Sequence, residues 1–440
     1  MAAEKFKHTT VIAVVIANMV GTGVFTSLGF QLVDLRSGFV LLMLWAVGGL
    51  VAVCGAMTYA ELGAAMPRSG GEYNFLARIY HPAAGFVSGW VSATIGFAGP
   101  TALAAMTFAA YATSVVPGET SAWLEKILAC GLVIALTVVH SSNRRSSGGL
   151  QVFFTILKVA VIVGFCVFAY FLVDAPQPVR FVPAPGDGVL LTGGAFAVSL
   201  IYVSYAYTGW NAATYLSSEL ENPQKTLPVI LLTGTLVVTL LYVALNFIFL
   251  YVAPMDDLVG QVEVGYIAAG AAFGDLGGRL TGLVMSMLLI STVSAMTIAG
   301  PRVLQVIGED FAALRPLSRT NASGLPSTAI CVQSALTILF ILSSNLESVL
   351  VFAGFTLALN SFATVLGVFV LRYRQPDLPR PYKTFLYPLP PLIYLTLTGW
   401  TLYFVLLNRP VEGLFGLGII AAGIVFYFIS LIKSRSYQGT

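Results

Sequence analysis

Long apolar runs, parted by short charged turns, leave this chain few folds to choose from. In a hydrocarbon layer no water is at hand to satisfy backbone amides and carbonyls. A run of about 20 apolar residues must therefore close its hydrogen bonds within itself, as a helix. Twelve such runs can be read, over residues 9–33, 38–66, 82–116, 125–142, 149–172, 189–218, 227–253, 276–308, 328–343, 346–371, 386–407 and 412–433. The third and eighth are long enough to be strongly tilted. Composition agrees: 57% of the residues are hydrophobic and 9% charged, against about a quarter charged in a soluble domain. An all-α integral membrane protein is expected. The short basic start, Met1–Thr10, leads straight into a full-length span and does not read as a removable signal.

Lysine and arginine orient the spans. With the N-terminus inside, the outer segments hold five (Arg36, Lys126, Arg180, Arg279 and Arg409), one (Lys158) lies within a span, and the other sixteen of the 22 are on the inner side. That bias places both termini in the cytoplasm and the chain in the cell's inner (plasma) membrane. The net charge of +3 does not point to nucleic acid, because the basic residues sit in short loops. Cys54, Cys130, Cys166 and Cys331 fall inside apolar spans and read as small core residues. Neither they nor His8, His81 and His140 have metal-ligand spacing, and no cofactor is expected.

The first span is interrupted near its centre by Asn18-Met19-Val20-Gly21-Thr22-Gly23-Val24-Phe25. Each Gly inside a helix costs up to about 1 kcal/mol relative to Ala. Two readings fit: a notch for close helix packing, or a broken helix whose freed amides and carbonyls hold a ligand at membrane depth. The sixth span has a counterpart, Tyr205-Ala206-Tyr207-Thr208-Gly209-Trp210-Asn211, 186 residues on from Thr22 to Thr208. The second and seventh spans start 189 residues apart, near 38 and 227. Five helices followed by five similar ones have opposite orientation, because five is odd. Paired interruptions in two inverted halves mark a transporter's midplane site, which favours the broken helix.

Several motifs resemble the amino acid–polyamine–organocation (APC) transporter superfamily, and most closely bacterial relatives of the L-type amino-acid transporters. Gly21-Thr22-Gly23-Val24-Phe25 is similar to that group's Gly-Ser-Gly-Ile-Phe pattern, with Thr in place of Ser. Tyr59-Ala60-Glu61-Leu62-Gly63 and Pro67-Arg68-Ser69-Gly70-Gly71-Glu72-Tyr73 resemble the end of its second helix and the loop beyond. Tyr207-Thr208-Gly209-Trp210-Asn211 and Ser218-Glu219-Leu220-Glu221-Asn222-Pro223 resemble its broken sixth helix and the next loop. The resemblance implies amino-acid transport by alternating access in a LeuT-type fold. Helices 1 and 6 would be broken at mid-membrane, within one transporter domain over 1–440. Residues 9–172 would form the first inverted repeat, 189–371 the second, and 386–433 two additional helices.

A zwitterion needs hydrogen-bond donors beside acceptors, and a broken helix offers both. The outer half presents free N–H groups and a positive dipole end, while the inner half ends in carbonyls. By resemblance, Gly21, Thr22 and Gly23 form the cradle, with Thr22 and Gly23 on the carboxylate. The carbonyls of Met19, Tyr205, Ala206 and Thr208 take the amine, the Tyr205 ring closes over the ligand as a gate, and Asn211 lines the pocket. The first, third, sixth, eighth and tenth spans show no charged residue near their centres, so a neutral amino acid is favoured over a basic or acidic one. Lys158 lies about 12 Å along the fifth span from its inner end. In the related transporters a lysine there stands where sodium-coupled relatives hold the ion. It would bridge first-helix carbonyls to an eighth-helix hydroxyl: Ser291, Thr292 or Ser294.

A permanently charged Lys158 implies sodium-independent exchange; one that gives up its proton in a dry site implies proton-coupled symport. A sensor that binds amino acids without net transport is the alternative of a different class. An intramembrane enzyme is disfavoured, because the spans offer no facing acid, base or nucleophile at membrane depth beyond Lys158. Eukaryotic members carry a cysteine between the third and fourth helices for a disulfide-linked ancillary subunit. The loop from Val116 to Lys126 has none, so no such partner is expected.

Overall fold

Helices form over the apolar runs, and the two expected interruptions fall where glycine stands in them. The computed structural model describes residues 8–68, 70–115, 121–142, 148–321 and 325–438. Lys5, Lys7, Ser69, Arg144 and Arg145, and residues 116–120 of the loop without cysteine, lie outside those ranges. The first span is α1 (His8–Met19) and α2 (Gly23–Gln31). It is followed by α3 (Gly38–Ala65), which the Ser37 side chain caps by accepting from the Val40 amide. A short α4 (Glu72–Ile79) comes next.

The third span differs from the single tilted helix expected. It is α5 (Pro82–Val91), a π-helical segment (Ser92–Ala98) and α6 (Gly99–Ser114). Pro100 has no N–H to give to the Gly96 carbonyl four residues back, and its ring crowds that oxygen. The turn widens there instead of continuing as α-helix. Then come α7 (Ala122–Ser142), α8 (Gly148–Leu172) and a short α9 (Asp187–Thr192). The sixth span is α10 (Gly194–Ala206), turns through Tyr207–Asn211, and a 3₁₀ helix over Ala212–Glu219. After α11 (Pro223–Val252) and a short α12 (Met255–Leu258), α13 (Val264–Asp310) carries the eighth span. Gly274 breaks α13 at φ 72° and ψ −179°, so its regular part starts close to residue 276, where the apolar run begins. The chain ends in α14 (Ser327–Ser343), α15 (Leu346–Arg374), α16 (Leu389–Asn408) and α17 (Pro410–Gln438).

Among the described residues there is no strand, and ten helices are long and apolar enough to cross a bilayer. Two shorter apolar helices accompany them: α10, which stops at its break, and α14. The protein is a multi-pass, all-helical membrane protein. Side chains such as Trp123, Phe171, Val411 and Phe428 are exposed on α7, α8 and α17, as expected of a surface in contact with lipid. Packing pairs the spans reciprocally. α3 lies along α11 and α6 along α13, while α1 packs on α11 as α10 packs on α3.

One ion cluster ties the ends of these helices. Glu61 on α3 has no exposed side-chain surface, and Arg372 on α15 binds it with two parallel bonds of 2.8 and 2.7 Å. The Thr384 amide adds a third at 2.7 Å, and the Arg372 guanidinium lies 3.6 Å over the Tyr387 ring. Arg372→Leu would leave the carboxylate to Arg380, whose Nε is 3.6 Å away. The expected result is a loss of about 3 kcal/mol of stability, read as a lower midpoint of thermal unfolding in detergent. An unchanged midpoint would mean that Arg380 takes over the pair.

Candidate functional site

The two breaks cross in direct contact. A Cβ on Gly23 would stand 2.6 Å from the Ala206 Cα, so a side chain there has no room. Gly209 has φ +98°, and a Cβ on it would meet the Asn18 backbone at 2.8 Å. Glycine at these two points is what lets one broken helix lie against the other. Behind the crossing, Tyr242 on α11 packs with Trp45 and Tyr207, at ring-centroid distances of 5.6 and 5.0 Å. Its hydroxyl reaches both helix ends, 2.5 Å from the Met19 carbonyl and 3.1 Å from that of Ala206.

A cavity of about 20 Å³ lies at the crossing, and its lining includes Met19, Gly21, Thr22, Gly23, Tyr205, Ala206 and Thr208. Seven of the eight residues expected to meet the ligand are therefore side by side. A cavity of that size has room for about one water and none for an amino acid, so in this conformation the cradle is closed. The Tyr205 ring is buried and its hydroxyl faces Thr22.

Asn211, the eighth, is elsewhere. It lines an adjoining cavity of about 110 Å³ bounded by Asn18, Pro100, Thr208, Met296, Tyr215 and Glu72, and its amide donates to Glu72 at 3.2 Å. The expected carbonyls also divide. Met19 O accepts from the Gly21 amide and from Tyr242, and Tyr205 O accepts from both the amide and the hydroxyl of Thr208. A carbonyl has two lone pairs, so both of these are occupied. Ala206 O keeps one lone pair beside its bond to Tyr242.

Lys158 is 6% exposed, on α8. Its Nζ donates to Thr292 Oγ1 at 2.7 Å and stands 3.5 Å from the Val20 carbonyl, within the first break. Of the three hydroxyls expected on the eighth span, Thr292 is the one that meets it. Ser294 lies instead 2.8 Å from His140 Nε2 on α7. Ser291 is next to Thr292 in sequence and so about 100° away around the helix. Among the described residues no carboxylate pairs with Lys158.

Two residues near the site escaped the sequence reading. Tyr242 is one of several hydroxyls in an apolar span, with Thr235, Thr239 and Tyr251, and nothing marks it out. Glu72 enters from outside the spans, on α4, after Gly70 and Gly71 turn the chain with φ of 113° and 51°. It brings a carboxylate to the cavity beside the cradle, although the first, third, sixth, eighth and tenth spans themselves carry no charge near their centres. Burial pushes its carboxyl above the usual carboxylate range, and the hydroxyls and amides aimed at it pull the other way. Tyr242→Phe keeps the ring and removes the hydroxyl. It is expected to lower stability by about 1 kcal/mol and to weaken binding at the cradle, measurable as a smaller ligand-induced rise in the thermal unfolding midpoint.

A family model described as amino acid permease matches residues 6–431. The chain is 29% identical to the large neutral amino acids transporter small subunit 2 of Homo sapiens, over 95% of this chain and 78% of that protein. It is 26% identical to the b(0,+)-type amino acid transporter 1 of Mus musculus, over 95% and 86% of the two chains. It is 28% identical to the Asc-type amino acid transporter 1 of Mus musculus, over 95% and 79%.

Proposed function

The chain belongs to the amino acid permease family, within the APC superfamily, and on that premise we propose that it carries neutral L-amino acids by sodium-independent exchange, through alternating access around the crossed breaks. The family is one of transporters, and the chain is not an enzyme. The observation that carries the proposal is the contact of Gly23 with Ala206 and of Gly209 with Asn18. It brings the start of α2, whose first amides have no partner within the helix, against the carbonyl end of α10. The substrate carboxylate takes the amides at Thr22 and Gly23, and its ammonium takes the free acceptors of Ala206 and Thr208. Tyr205 is the gate.

Twelve spans, in two inverted repeats over 9–172 and 189–371 with two further helices over 386–433, are part of the same proposal. The reciprocal packing of α1 on α11 and α10 on α3 supports it. The lysine bias supports cytoplasmic termini in the plasma membrane. One relative is named a small subunit. For this chain a disulfide-linked partner is not proposed, since the loop from Val116 to Lys126 has no cysteine.

Lys158 favours exchange. Its ammonium supplies, between Val20 and Thr292, the positive charge that a bound sodium ion would otherwise bring. Proton-coupled symport is the second reading, favoured by the lack of a carboxylate partner for Lys158 among the described residues. Counterflow in proteoliposomes tests the first: a preloaded neutral amino acid is expected to drive uptake of labelled substrate with no sodium and no pH gradient. Saturable binding without flux in either direction would mean a sensor instead. Lys158→Ala is expected to reduce exchange at least tenfold while leaving the protein monodisperse in detergent. Undiminished exchange with an unaltered pH profile would assign the lysine to membrane snorkelling. Gly23→Leu is expected to abolish uptake and Thr22→Val to spare most of it, because the cradle is made of backbone.

A further inference from the structure

Glu72 is 3% exposed, and five neutral donors converge on its carboxylate. The Tyr59 hydroxyl of α3 is at 2.5 Å, and the Asn211 amide and Tyr215 hydroxyl, beyond the sixth-span break, are at 3.2 and 3.5 Å. From α15 come the Asn360 amide and, at 2.9 Å, the Ser361 hydroxyl. Among the described residues no lysine or arginine pairs with it, and the titratable groups facing it are the phenols of Tyr59, Tyr215 and Tyr394. A carboxylate offers about four acceptor sites, so this one is filled and leaves nothing for a substrate ammonium. Its effect is geometric. It joins α3, α15 and the segment after Gly209 at one point on the wall of the 110 Å³ cavity next to the cradle.

We propose that Glu72 is a positioning residue for transport: as a carboxylate it clasps the segment after Gly209 to α3 and α15 and closes the passage beside the cradle, and on taking up a proton it lets that segment go. The proton adds to one carboxylate oxygen and turns an acceptor into an O–H donor. The hydroxyls of Tyr59, Tyr215 and Ser361 can rotate to accept it, but the NH₂ groups of Asn211 and Asn360 cannot accept at all. The clasp therefore loosens at the two amides, and of these Asn211, whose 3.2 Å bond is the longer, belongs to the segment that opening moves. The role rests on the transport reading above, with the clasp on the cytoplasmic side.

Gly96 provides the reporter, because it lines the cavity and a Cβ there meets nothing closer than 3.6 Å. Gly96→Cys would be made with Cys54, Cys130, Cys166 and Cys331 replaced, and labelled with a membrane-impermeant maleimide in inside-out vesicles. Labelling, taken throughout relative to a free thiol at the same pH because only the thiolate reacts, is expected to quicken as pH falls. With Glu72→Gln it should be about tenfold faster at neutral pH, the shift expected when one hydrogen bond to a charged group is lost, and flat with pH. Glu72→Asp should restore the pH dependence. If Glu72→Gln does not reach the membrane, Tyr215→Phe with Ser361→Ala removes two donors, keeps the carboxylate, and should give the same acceleration. Labelling at the parent rate with the parent pH profile, in either variant, overturns the clasp. Counterflow in the same preparation separates the two readings: no flux together with Glu72-dependent labelling overturns transport and keeps the clasp.

Discussion

A backbone group left unpaired at membrane depth costs several kcal/mol, and the centre of this protein is arranged around that cost. Two helices stop in mid-span, and each exposes carbonyls that lipid could not satisfy. The remedies are local and specific: Tyr242 bridges the ends of α1 and α10, Thr208 folds back onto Tyr205 O, and Gly21 donates to Met19 O. What remains open after these bonds is a short row of amides at the start of α2 facing the acceptors of Ala206 and Thr208. The polarity of the cradle is thus what is left over from a nearly complete set of hydrogen bonds.

Three buried charges are held in three different ways. Glu61 has a guanidinium in bidentate contact, which makes a fixed joint between helix ends. Lys158 has only oxygens, a hydroxyl and a distant carbonyl, so its charge is stabilised without being cancelled. Glu72 is surrounded by neutral donors from elements on several sides of a cavity. Breaking a buried ion pair by loss of one partner costs roughly 3–5 kcal/mol, whereas a neutral donor contributes less and can turn away. The firm joint therefore lies at the periphery, and the two charges without an ionic partner among the described residues lie beside the crossed breaks.

Much of this was legible in the sequence, and the gaps have physical causes. Apolar runs and paired glycines locate the helices and both breaks, because lipid leaves the backbone so few alternatives. Lys158 stands out as the lone lysine or arginine well inside a span. Which hydroxyl it meets was not legible, since Ser291, Thr292 and Ser294 leave the helix at different angles and only the rotation of α13 selects Thr292. Glu72 looked like an ordinary loop residue because its partners lie up to 289 residues away. The widened turn in the third span was missed because hydropathy is the same for an α-helix and a π-helix; Gly99-Pro100 was its only trace.

That widened turn has a consequence for how the chain tolerates change in length. Each residue of an α-helix advances the facing direction by about 100°, and the seven residues from Ser92 to Ala98 run at a different pitch. They set the rotational phase of α6 relative to α5. Above them α6 lies along α13, and below them α5 packs on α4 and α17. A residue removed from the regular helix on either side would turn a whole half-span away from its neighbour while leaving its hydropathy intact. The wide turn itself holds about one residue more than an α turn and absorbs such a loss. The same deletion in a loop would shift nothing in the membrane. The third span thus behaves as a keyed shaft, with its reading frame set in space by one loose turn.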